Sequence, residues 1–168
     1  MSKINKKIKL AWSVLSSGVV VDQQTNNISL FNVIEEITIP KDKLLKLKTD
    51  DGKNMLGVPV SFNLLSVWRR IGKSGLISAD IKVQIFDPTG KTRDVSNEPI
   101  QLAEKIQRLR LIMKWAGIKV GSSGIYTFKI LKKEKGEKSF SEAGTIDLKI
   151  NIVEEVKQPK ISRPKVIK

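Results

Sequence analysis

Ile81-Lys82-Val83-Gln84-Ile85 alternates apolar and polar residues without a break, and the same two-residue period returns in segment after segment of the chain. Period two is the repeat of an extended strand with one buried face, whereas a helix needs 3.6 residues per turn. Ile8, Leu10, Trp12 and Val14 alternate with Lys9, Ala11 and Ser13, which predicts a first strand. Val19, Val20 and Val21 open a β-branched run. Beyond Thr25-Asn26-Asn27 the pattern resumes from Ile28 to Ile34, and asparagine tolerates the left-handed backbone of tight hairpins, so a hairpin is expected here.

Pro40 and the polar stretch from Lys41 to Asn54 form the longest connection, with room for one helical turn at Leu44 to Leu47. Val58, Val60, Phe62 and Leu64 then define a strand running through Trp68, with Pro59 suited to its first positions because proline cannot donate to a ladder. Asp87-Pro88-Thr89-Gly90 carries the residues of a type I turn, and the strand from Lys91 should pair back. Ile100 to Trp115 fits either period: Ile106, Leu109 and Met113 share a helical face, while Leu109, Leu111, Met113 and Trp115 alternate; strand-rich neighbours favour the strand. Gly124 to Ile130 and Ile146 to Ile152 are the last two strands, with a turn at Glu134-Lys135-Gly136-Glu137. Short strands joined by tight turns, without intervening helices, predict an all-β domain: a two-sheet antiparallel β-sandwich, immunoglobulin-like or C2-like, with eight or nine strands and little or no helix. The expected organisation is a basic flexible N-terminus over 1–6, the sandwich over 7–156, and a basic disordered tail over 157–168.

The opening hairpin, Ser16-Ser17-Gly18-Val19-Val20-Val21-Asp22 leading through Asn26-Asn27 to Ile28-Ser29-Leu30-Phe31-Asn32-Val33-Ile34, resembles the start of an uncharacterised bacterial β-sandwich domain family of unknown function. The close, Gly124-Ile125-Tyr126-Thr127-Phe128, resembles that family too, so the similarity spans residues 8–153. It implies a small sandwich in a bacterium and carries over no active site.

The chain has 168 residues and a formal charge of +14, but the excess is unevenly placed. Four lysines lie in the first ten residues and five basic residues in 157–168, both without an acid, so residues 11–156 hold 22 basic against 17 acidic residues. Lysine outnumbers arginine 25 to 6, and arginine is the residue favoured for bidentate phosphate contacts. No run approaches the roughly 20 apolar residues of a membrane helix. The charged head before Leu10-Ala11-Trp12 resembles a signal peptide only at its start, because serines interrupt the apolar run. With no cysteine to form disulfides, a soluble protein of the reducing cytoplasm is expected.

With neither histidine nor cysteine, Ser-His-Asp and Cys-His nucleophiles and the usual zinc sites are excluded. The acidic pairs Glu35-Glu36, Asp50-Asp51 and Glu154-Glu155 are sequence neighbours that a strand would point to opposite faces. Gly72-Lys73-Ser74 resembles the end of a P-loop, yet Val67 occupies the position of its first glycine and Gly75 opposes the helix that must follow. No catalytic residue, metal ligand or cofactor is therefore expected.

Trp12 and Trp115 fall on the apolar phase of their strands and read as core; Trp68 is read as out of phase with Phe62 and Leu64, hence the tryptophan to find exposed. Arg108, Arg110 and Lys114 share a strand face, and with Arg69, Arg70, Lys157, Lys160, Arg163, Lys165 and Lys168 they are the candidate contacts to an anion or nucleic acid. The expectation is a non-catalytic binding or assembly domain with an unknown protein partner or a second copy of itself. The alternative is binding of nucleic acid or another anionic polymer through the basic ends and that strand face.

Overall fold

A computed structural model describes residues 7–48, 54–71 and 75–154 of the chain. In chain order the strands are β1 (Ile8–Val21), β2 (Ile28–Val33), β3 (Glu36–Pro40), β4 (Leu45–Lys48), β5 (Asn54–Val58), β6 (Phe62–Arg70), β7 (Ile77–Phe86), β8 (Thr92–Leu102), β9 (Arg108–Trp115), β10 (Ile118–Val120), β11 (Gly124–Glu134) and β12 (Ser141–Val153). A single 3-10 turn, Lys41–Lys43, is the one helical element among the described residues. The domain is all-β.

The strands form three sheets: four strands in the order β2-β1-β6-β9, five in the order β3-β12-β11-β7-β8, and three in the order β10-β5-β4. Alternation governs how they pack. In β7, Ile77, Ala79, Ile81, Val83 and Ile85 are buried while the residues between them are half-exposed. The core joins the two larger sheets through an aromatic trio. Phe62 of β6 stacks on Trp115 of β9 at 5.6 Å, and both meet Phe128 of β11 edge-on at 5.8 and 6.2 Å. Offset and edge-to-face geometries of this kind add to area burial. Val58, Ile118 and Val120 of the third sheet join the same core, where β6 begins and β9 ends.

Three features depart from the sequence-based expectation. Twelve strands in three sheets replace eight or nine in two. The additional strands are short, and β4 with β5 occupies the long connection where a helical turn was expected at Leu44 to Leu47; there Leu45 pairs with Gly57 and Leu47 with Met55. The expected strand from Val58 to Trp68 is interrupted at Pro59, so β5 ends at Val58 and β6 starts at Phe62. The pairing is not wholly antiparallel either, since β3 runs parallel to β12, with Ile37 opposite Ile150 and Ile39 opposite Ile152. Ile100 to Trp115 contains no helix: it is the end of β8, a turn, and β9. Residues 1–6 and the tail from 155 to 168 lie outside the described residues.

Candidate functional site on the outer face of the four-stranded sheet

The four strands of this sheet contain no aspartate or glutamate, yet they hold Lys9, Arg69, Arg70, Arg108, Arg110 and Lys114, four of the six arginines in the chain among them. The five-stranded sheet differs: its outer face mixes both signs and ties them into pairs, as in Lys129 with Glu142 at 3.2 Å and Lys149 with Glu36 at 3.3 Å. A solvated strand face normally looks like the second.

Registry places the cations. Lys9 of β1 lies opposite Arg69 of β6, and Arg69 lies opposite Arg108 of β9, so three exposed cations stand abreast across three neighbouring strands. Directly opposed side chains have Cβ atoms about 5 Å apart, and like charges so placed destabilise a sheet. Among the described residues none of the three makes an ion pair. The row is a standing electrostatic cost and a concentrated positive potential.

Arg110, one rung further along, opposes Val67 and has a different task. Its guanidinium donates to Asn26 Oδ1 at 2.6 Å and to the Asn26 carbonyl at 2.7 Å. Asn26 belongs to the β1–β2 turn, with φ of 55°, a left-handed conformation that asparagine accepts. A straight hairpin would carry Asn26 far from Arg110: β1 leaves β6 at Ser16, whose partner Asn63 lies opposite Lys114, and a strand advances about 3.3 Å per residue. The contact therefore requires the hairpin to fold back across the sheet as an arm. At the bend Asn63 Nδ2 donates to the Ser17 carbonyl at 3.3 Å. The arm explains why Leu65 and Val67 are buried although they point away from the main core. Its own residues alternate accordingly: Val19, Val21, Ile28 and Leu30 are half-buried, whereas Val20, Phe31 and Val33 are more than half exposed. The turn is held by Asp22, whose carboxylate accepts the N–H groups of Gln24 and Thr25, and these bonds keep its pKa below the ordinary value.

Arg70 is not an anion contact. Only 5% exposed, it points to the interior side of β6 and donates to the carbonyls of Ile106, Gly75, Leu102 and Ala103 at 2.8–3.2 Å. It clamps two loops. Lys114 is exposed opposite Asn63 and also borders a cleft of about 340 Å³ lined by Leu45, Trp115, Ile118 and Asp94. Lys157, Lys160, Arg163, Lys165 and Lys168 lie outside the described residues.

The tryptophans correct the sequence reading in two of three cases. Trp115 is core as expected. Trp12 is 44% exposed and Trp68 is fully buried, its indole N–H donating to Ser66 Oγ at 3.0 Å. In β1 the register slips between Leu10 and Trp12, so Ala11 is an extra residue and Trp12 turns to the face opposite Ile8 and Leu10. In β6 no such slip occurs against β9, and positions 62, 64, 66 and 68 share the core face. Trp12 thus stands on the outer face one rung from the row of cations, where it and Lys9 were missed as site residues. Sorting charge by strand, not by terminus, would have found Lys9; only the bulge reveals Trp12.

Two buried charge clusters elsewhere act structurally. Asp87, in the β7–β8 turn, accepts from the Thr89 N–H and hydroxyl, the Lys91 N–H and Arg93 Nε at 2.6–2.9 Å. Burial pushes its pKa up, but these donors outweigh it and hold the group at about 2. Lys132 and Glu134 form a buried pair on β11 that grips the start of β1: Glu134 accepts the N–H groups of Lys7 and Ile8, and Lys132 donates to the Ile8 carbonyl at 2.8 Å. Among the described residues every buried side-chain nitrogen and oxygen has a hydrogen-bond partner, and no helix is long and apolar enough to cross a membrane. Neither a protein-family model nor a curated protein matches this chain.

Proposed function

We propose that the chain is a non-catalytic binding domain whose working surface is the outer face of the four-stranded sheet, and that the partner it takes there is anionic. The observation that carries this reading is the row Lys9–Arg69–Arg108, set in four strands without a single acid. Like charges held abreast lower stability in the free protein, and an anion seated over them reverses the sign of that energy. The scaffold fits a display role. Tyr126, fully buried, donates from its hydroxyl to the Ser122 carbonyl at 2.9 Å and accepts the Gly121 N–H at 3.0 Å. Such a latch is typical of the corner between sheets in immunoglobulin-like sandwiches. We read the two larger sheets as a sandwich of that kind, with the three-stranded sheet added.

The test is binding of fluorescein-labelled polyphosphate by the full chain, followed by anisotropy. Binding should weaken steeply between about 20 and 150 mM salt. Arg69→Gln with Arg108→Gln should remove most of it, while Lys82→Gln with Lys129→Gln on the opposite sheet should not. No binding at low salt, or equal loss in both double variants, would refute the reading. A second reading, assembly with a protein or another copy of the chain, is favoured by the exposed strip of Val20, Phe31 and Val33 on the arm. Sedimentation of Phe31→Ser against the parent chain separates the two, since only assembly through the arm would change in mass.

A further inference from the structure

We infer that the anion this face takes is single-stranded nucleic acid, with backbone phosphate on Lys9, Arg69 and Arg108 and a base stacked on Trp12. The inference rests on the anionic-partner reading above and adds to it the geometry of Trp12. Along β6 the cation row and the Trp12 rung are separated by two residues, Arg69 to Val67, which is about 7 Å. That is the reach of one nucleotide from its phosphate to its base. Trp12 is nearly half exposed, although a regular strand without the bulge would keep it in phase with Ile8 and Leu10 and bury its apolar surface with them. An accessible indole beside guanidinium groups, on the stretch of the face that the arm leaves exposed, is the arrangement by which single strands are held without reading sequence, phosphates on the cations and bases on the ring. Two of the three cations are arginines in a chain where lysine is four times as common, and arginine's planar fork is the better phosphate ligand.

Two other anionic partners fit less well. A bilayer would be met by a protruding apolar tip, but the tip of the arm, Asp22 to Asn27, is polar throughout and carries an acid. An acidic protein would satisfy the cations but need not carry an aromatic ring beside each charge, whereas every nucleotide joins one to its phosphate. A duplex keeps its bases stacked on one another, so only a single strand can offer one to Trp12.

The three tryptophans make the test selective. Trp68 and Trp115 are buried, so among the three the indole open to quenching by a ligand is Trp12. The full chain is titrated with oligothymidylate, with inorganic polyphosphate and with phosphatidylserine vesicles at low salt, reading tryptophan emission and anisotropy of labelled ligand. Oligothymidylate should quench the emission, and Trp12→Leu should abolish the quench and weaken binding about 5- to 150-fold. Trp12→Tyr should restore part of the affinity, and neither variant should alter polyphosphate binding. If oligothymidylate and polyphosphate bind alike and Trp12→Leu leaves both unchanged, the nucleic-acid inference falls while the anionic face stands. A blue shift with vesicles, without quenching by oligothymidylate, replaces the single strand by a membrane. If nothing binds at low salt, both the inference and the proposed function fail.

Discussion

Arg69 and Arg70 are adjacent in β6 and face opposite ways, so replacing each by methionine should have contrasting consequences. Arg70→Met removes the donors to four carbonyls. The bond to Leu102, a residue with no exposed surface, is buried, and leaving that carbonyl unpaired costs about 2 kcal/mol. The carbonyls of Gly75, Ala103 and Ile106 are only partly buried and can turn to water, at about 0.5–1 kcal/mol each. Relief of the desolvated charge offsets part of the sum. The net loss should be about 2–3 kcal/mol, equivalent to about 5–10 °C in Tm for a domain of this size. Arg69→Met removes the middle cation of a like-charged row and should be neutral or stabilising by a few tenths of a kcal/mol, a gain that fades as salt screens the repulsion. Urea unfolding monitored by tryptophan emission measures both. A loss below about 1 kcal/mol for Arg70→Met, or equal losses for the two variants, would refute the assignment of one arginine as clamp and the other as free cation. The binding assay gives the reverse order: Arg69→Met loses affinity for polyanion, and Arg70→Met keeps it.

Asp87 is held at about 2 in the folded chain against an ordinary 3.8, so its contribution is fully present above the ordinary value and is lost as pH falls toward 2. An acid titration of stability should show a loss of about 2 kcal/mol from this group across that window, and Asp87→Asn should flatten the slope there. Tyr126→Phe leaves the Ser122 carbonyl and the Gly121 N–H without their partner and should cost about 1–2 kcal/mol in urea unfolding, with no effect on polyanion binding. Arg110→Ala unlatches the arm: hydrogen exchange of residues 18–31 should accelerate while global stability falls by less than about 1 kcal/mol, and unchanged protection in the arm would contradict the fold-back of the hairpin.

Strand content was legible because burial at period two is a local property. Ile81, Val83 and Ile85, or Tyr126, Phe128 and Ile130, each announce one buried face, and each is buried in the structure. Short strands were less so, since Leu45 to Lys48 and Ile118 to Val120 span too few residues for a period to emerge. The candidate site was half legible. Arg69, Arg108 and Arg110 were identified as a basic group, but nothing local separates Arg69 from Arg70 by role, because a strand sends neighbours to opposite faces and only packing says which face is the interior.

Composition and alternation by themselves determined that the chain is all-β, that histidine and cysteine chemistry is absent, and that the excess of basic residues is concentrated toward the two ends of the sequence. Tertiary structure decided which charges face one another and which aromatic is exposed. The row Lys9–Arg69–Arg108 exists through registry between residues 60 and 39 positions apart, and Trp12 is outside because one extra residue in β1 shifts the phase of everything after it. Both are consequences of long-range pairing, and a two-residue period carries no memory of which strand lies beside it.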